Sequence, residues 1–220
     1  MPLFRSPETV IASLIVLAII LLVSFPIHEF SHALAAYELG DSTAKLFGRL
    51  TLNPIAHFDP VGGLMLAVSI LFAGIGLGWA KPTPVNVRNL RGGRSGEAIV
   101  AAAGPISNLV LALVVALPLR YINTNNIDLG ILTVILQSFV FINLALAFFN
   151  LLPIPPLDGA PVLFTFLDPQ TAWRLRPILQ QYGFFILLAA LLFPIFGGQT
   201  LLGLVFADLI EPLYGLLVGR

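Results

Sequence analysis

The sequence predicts an all-α integral membrane protein, a bundle of five or six transmembrane helices folded as a single domain over residues 1–220. Three observations carry this. The 220 residues are 58% hydrophobic and only 10% charged, whereas a soluble domain carries about 25% charged residues. Mean hydropathy is +0.97. The apolar residues fall in long runs joined by short loops, and each run approaches the roughly 20 residues a helix needs to cross a bilayer. The natural solvent is lipid.

Other classes are excluded by what the chain lacks. Eleven basic and eleven acidic residues give a formal net charge of zero, so there is no general pull toward nucleic acid. Cysteine is absent, which removes disulfides, thiolate metal sites and cysteine catalysis.

The first run, residues 8–37, has no charge between Glu8 and His28. No small-x-small cleavage site precedes the histidines, so the run is expected to stay in the mature chain. The second, residues 61–80, holds Gly62, Gly63, Gly74, Gly76 and Gly78. Those glycines permit a bend and predict a re-entrant segment that dips into the membrane and returns. The basic residues agree. With a re-entrant segment, Lys45, Arg49, Lys81, Arg88, Arg91, Arg94, Arg174, Arg176 and Arg220 share one side, against Arg5 and Arg120, and the richer side is cytoplasmic. The third and fourth runs cover 98–119 and 129–152. The last two, 177–196 and 201–218, are separated by "GGQT".

The chemistry begins in "FPIHEFSHALAAY". His28-Glu29-Phe30-Ser31-His32 is H-E-x-x-H, and on a helix residues four apart share a face, so both imidazoles can reach one metal ion. Glu29, turned about 100° from His28, is better placed to take a proton from water than to bind the metal. Pro26 is expected to kink the helix just before the site. Ionisable groups at membrane depth are costly and mark function, which outweighs the bland alternative of a polar interfacial turn.

A catalytic zinc needs a third protein ligand. His57, Asp158, Asp208 and Glu211 are the candidates. Asp158 is favoured because it lies in "FNLLPIPPLDGAPVL", where Pro153, Pro155 and Pro156 end the helix and irregular backbone must be buried or line a wet cavity.

Together "HEFSH", "NLLPIPPLDG" and the weaker "AAGPISN" resemble the site-2 proteases, intramembrane zinc metalloproteases, over roughly residues 8–168. "GRLTLNPIAHFDPVGG" and "GWAKPTPVN" are similar to the compact prokaryotic branch without PDZ or CBS domains. One difference is "LDGAP", where many members have a second glycine and an arginine. The resemblance implies that His28, His32 and Asp158 bind one Zn2+, that Glu29 is the general base, and that Asn150 holds substrate or oxyanion. It also implies cleavage of a transmembrane protein or peptide inside the cell membrane, near its cytoplasmic face. Membrane-anchored transcription or sigma-factor regulators and remnant signal peptides are the implied substrate classes.

The remaining polar residues carry weaker expectations. Asn108 is read either as a substrate contact or as part of a small-residue packing face. His57 is expected to be a solvated loop histidine in preference to a gate. Arg88, Arg91 and Arg94 are expected at anionic headgroups, and Asp208 and Glu211 at the membrane interface. Two rival functions use the same residues. A zinc transporter or sensor would not need Glu29, and a catalytically silent adaptor would bind membrane helices without cutting them.

Overall fold

A computed structural model describes residues 14–15, 17–73, 78–194 and 198–219. Its principal helices are α1 (Leu17–Glu38), α2 (Pro60–Ala73), α3 (Arg94–Thr124), α4 (Ile131–Asn150), α5 (Gly159–Phe166), α6 (Pro169–Leu192) and α7 (201–218). Among the described residues every principal element is helical, and α1, α3, α4 and α6 are long and apolar enough to cross a membrane.

Five or six apolar runs were expected, and these four are the candidate spans among the described residues. Of the second run, the described residues include the 14-residue α2, about 21 Å long at 1.5 Å per residue. The last run is helical but passes through a wide π turn at Val205–Ile210 that carries Asp208. Asp208 and Glu211 are both exposed. The start of the first run and Gly74 and Gly76 of the second lie outside the described residues.

Local chemistry sets the helix ends. Asp168 caps α6, its carboxylate accepting from the amides of Gln170 and Thr171, with Pro169 at the first helical position. In α1, Pro26 has no N–H for the carbonyl of Leu22, and the helix absorbs this by widening to a π turn over Ile20–Ser24, where the amide of Phe25 bonds the carbonyl of Ile20.

The 31-residue α3 is the centre of the molecule. Val100, Gly104, Asn108, Ala112 and Ala116, each four residues after the last, form its buried stripe. Small side chains along such a stripe let neighbouring helices approach closely. Toward one end, Ala112, Ala116 and Leu119 pack with Val140 and Leu144 of α4 and with Val205, Ile210 and Val218 of α7. Toward the other, α1 closes on α3 through Ala36 and Val100. Faces turned away from these contacts stay apolar, as at Leu117, Val114 and Phe185, which suits lipid and not water.

The connection from α1 to α3 returns to the end it left. The amide of Arg91 bonds the carbonyl of Leu39 at 2.8 Å, and its guanidinium reaches the carbonyl of Glu38. Within the loop, Trp79 lies against Gly62, where a Cβ would come within 2.0 Å of the Trp79 carbonyl oxygen, and the amide of Lys81 bonds the carbonyl of His57 at 2.8 Å. His57 and Lys81, on either side of α2, thus lie together. Buried Asp41 fastens the two sides of the loop, accepting from the amides of Thr43 and Asn86 and the side chain of Asn89.

One loop residue differs from expectation. His57 is buried, not solvated, because the single turn Pro54–His57 folds its ring inward, where Nε2 donates to the carbonyl of Thr51 at 2.8 Å. Arg91 and Arg94 spend their guanidiniums on backbone carbonyls at the ends of α1 and α5.

Candidate metal centre

The buried face of α1 presents Ser24, His28, His32 and Ala36 at four-residue spacing. Both histidines are 7% exposed. Each ring is held at Nδ1. That of His32 donates to the carbonyl of Val100 at 2.7 Å, and that of His28 lies 2.6 Å from Oδ1 of Asn108. With Nδ1 protonated on each ring, both Nε2 atoms carry lone pairs, and these point inward, 3.1 Å apart.

Asp158 reaches them from the far side of the fold. Its Oδ2 lies 3.1 Å from Nε2 of His28 and 3.3 Å from Nε2 of His32. The backbone that delivers it is tightly built. A Cβ on Gly159 would fall 2.1 Å from the carbonyl oxygen of Leu151, so the turn after α4 closes only with glycine there. The guanidinium of Arg94 holds the carbonyls of Phe164 and Leu167 at the end of α5, and the Thr165 hydroxyl donates to the carbonyl of Arg94 at 3.1 Å. An ion pair between Arg176 and Glu97 ties α6 to the same end of α3.

The donor set fits zinc. A tetrahedral zinc with bonds of about 2.0–2.1 Å spaces its ligands roughly 3.3–3.4 Å apart, close to the three edges of this triangle. Oδ2 of Asp158 is buried and receives no hydrogen bond, as suits a lone pair kept for a cation. On one side the triangle is bounded by Gly104, where a Cβ would lie 2.4 Å from Nε2 of His32 and 2.6 Å from Nε2 of His28. These are the described residues' one cluster of histidine and carboxylate donors able to hold a metal.

Glu29 leaves α1 on the neighbouring face. Its Oε2 accepts from the amide of Thr83 at 2.9 Å and from the Thr83 hydroxyl at 2.7 Å. Thr83 sits in the irregular segment 78–86 before α3. The other expected residues are placed differently. Asn108 is fully buried with its amide spent on His28 and Asn143, so it backs the histidine instead of facing a substrate. Asn150, at the end of α4, turns its amide back to the carbonyl of Leu146 at 2.9 Å. The cluster comprises His28, His32 and Asp158, and His57, Asp208 and Glu211 lie outside it.

Fold and site together define a membrane-embedded zinc metalloprotease. Comparison with known proteins agrees. The profile of Peptidase family M50 matches residues 115–192, a stretch that includes Asp158 but not the histidines. YwhC of Bacillus subtilis, named as a candidate zinc metalloprotease, is 39% identical over 184 residues, 81% of each chain. Rip2 of Mycolicibacterium smegmatis, named in the same way, is 34% identical over 79% of this chain and 65% of its own. Rip2 of Mycobacterium tuberculosis is 33% identical over 80% of this chain and 66% of its own. No solved structure matches. The chain belongs to Peptidase family M50, the site-2 protease family.

Proposed function

We propose that the chain cuts peptide bonds in or near transmembrane segments of other membrane proteins, working from the cytoplasmic side of the cell membrane. The observation that carries this is the triangle formed by His28 and His32 on the buried face of α1 and Asp158 from the turn before α5, with Glu29 on the neighbouring face of α1. His28, His32 and Asp158 are the residues that would hold zinc. Bound there, zinc supplies Lewis acidity that polarises a peptide carbonyl and lowers the pKa of water.

The protein's own groups do the rest. Glu29 takes the proton of the attacking water and passes it to the departing amide nitrogen. Thr83 holds Oε2 of that carboxylate in place. Asn150 contacts the substrate backbone once its amide exchanges its bond to Leu146. Because a helical carbonyl is already hydrogen-bonded, the substrate must unwind locally. The bond between Lys81 and His57, which brings the two flanks of α2 together, supports a re-entrant reading, and the loop offers the unwound segment an edge. The positive charges of Lys45, Arg49, Arg88 and Arg174, in segments adjoining the same end of α1 and α3, favour the cytoplasmic side. Residues 8–168 make the catalytic core, with α6 and α7 as accessory helices.

Glu29→Gln in purified protein tests the reading. Cleavage of a membrane-embedded substrate should disappear while zinc stays bound. A variant that still cuts removes Glu29 from the mechanism. A zinc-dependent function that persists without any cleavage favours a transporter or sensor.

A further inference from the structure

The two histidines are oriented by different means. The partner of His32 Nδ1 is the carbonyl of Val100, a group that can only accept. The partner of His28 Nδ1 is the side-chain amide of Asn108, which has an acceptor at one end and a donor of nearly the same size at the other. Either end fits the space. With Oδ1 toward the ring, Nδ1 is protonated and Nε2 carries a lone pair. With Nδ2 toward the ring, the proton moves to Nε2, which then donates to Asp158 and cannot bind a metal.

Nothing in Asn108 itself chooses. The choice is made one residue further away. Nδ2 of Asn143 donates to the carbonyl of Phe139 at 2.9 Å, and that carbonyl can only accept. The atom that Asn143 turns toward Asn108 is therefore Oδ1, which accepts from Nδ2 of Asn108 at 2.9 Å. That leaves Oδ1 of Asn108 for His28. Asn108 and Asn143 are both fully buried, so water does not compete and a reversed amide is costly.

We propose that Asn143, acting through Asn108, is a positioning residue that sets the tautomer of His28 and so makes Nε2 the donor atom toward zinc. The proposal rests on the reading of His28 as a zinc ligand. It gives α4 a hold on two corners of the site, His28 through Asn143 and Asp158 through the turn that follows Asn150.

The test uses the full chain in detergent, with zinc affinity measured by competition against a chelator and the visible spectrum of the Co2+-loaded protein as a second readout. Asn143→Leu should weaken zinc binding by about 10- to 100-fold and alter the Co2+ spectrum. Asn108→Asp supplies the control. A carboxylate can only accept, so His28 keeps its tautomer whatever occupies position 143, and adding Asn143→Leu to that background should change affinity by less than about twofold. Wild-type affinity in Asn143→Leu, or the same loss in both backgrounds, overturns the proposal. Nitrogen-15 NMR of His28 in the unaltered protein needs no variant: a protonated Nδ1 supports the proposal, and a protonated Nε2 overturns it. An unaltered protein with no zinc affinity overturns the underlying reading of the site, whereas affinity indifferent to Asn143 overturns this inference alone.

Discussion

Thr83 donates both its amide and its hydroxyl to Oε2 of Glu29, at 2.9 and 2.7 Å, across 54 residues of sequence. The loop beyond α2 is thereby fastened to the proposed general base. Thr83→Val keeps the amide and loses the hydroxyl bond to a charged group, and should lower the cleavage rate by about tenfold. Thr83→Ser should restore it. Zinc content should not change in either variant, and a Thr83→Val enzyme with full activity would show that the hydroxyl does not restrain the base.

Gly104 makes a sharper steric prediction. Alanine is the better helix former by about 1 kcal/mol, so Gly104→Ala in mid-α3 should leave the helix intact. Its methyl group would, however, meet the Nε2 atoms of both histidines. The expected outcome is a folded protein, by circular dichroism and gel filtration, that has lost its zinc. A variant with both fold and zinc would mean that the histidines do not abut α3.

Asp41 predicts a pH dependence of stability. Burial pushes its carboxyl up, but the bonds from Thr43, Asn89 and Asn86 outweigh burial and hold it below the ordinary value of 3.8. A carboxyl depressed by folding stabilises the protein above its unfolded pKa, and this contribution is lost as pH falls through the lower, folded value. The difference in Tm between the unaltered protein and Asp41→Asn should be constant from about pH 5 to 8 and shrink below about pH 4. A difference that persists undiminished in acid would show that Asp41 acts by shape and not by charge.

The topology of the loop is testable without background labelling, since the chain has no cysteine. Single cysteines at Asp59 and Lys81, which flank the α2 excursion, should react with an impermeant reagent from the same membrane face. Labelling from opposite faces would mean that the segment crosses.

Much of the site is legible in the sequence because its rules are local. Four-residue spacing puts His28 and His32 on one face in any α-helix, and three prolines before Asp158 end α4 whatever surrounds them. Asp158 itself could be chosen from the other carboxylates only by context, and its approach to the histidines is a property of the tertiary fold. The roles of Thr83 and Asn143 were not legible. Each acts through a hydrogen bond to a residue far away in sequence, and neither sits in a motif. Asn108 shows the same limit: its place beside Gly104 and Pro105 marks the stripe, but not that the stripe faces His28. His57 was misjudged because a histidine among loop residues usually meets water, while here the turn folds it inward. The number of apolar runs does not by itself give the number of spans, because hydropathy registers apolar length and not a feature such as the wide turn at Val205–Ile210.

The most direct test of the central claim is the zinc content of the purified protein set against its three single variants. The account predicts about one zinc per chain in the unaltered protein and a severe loss in each of His28→Ala, His32→Ala and Asp158→Ala. Full zinc content in folded Asp158→Ala would contradict it, because the carboxylate that closes the triangle would then not be a ligand.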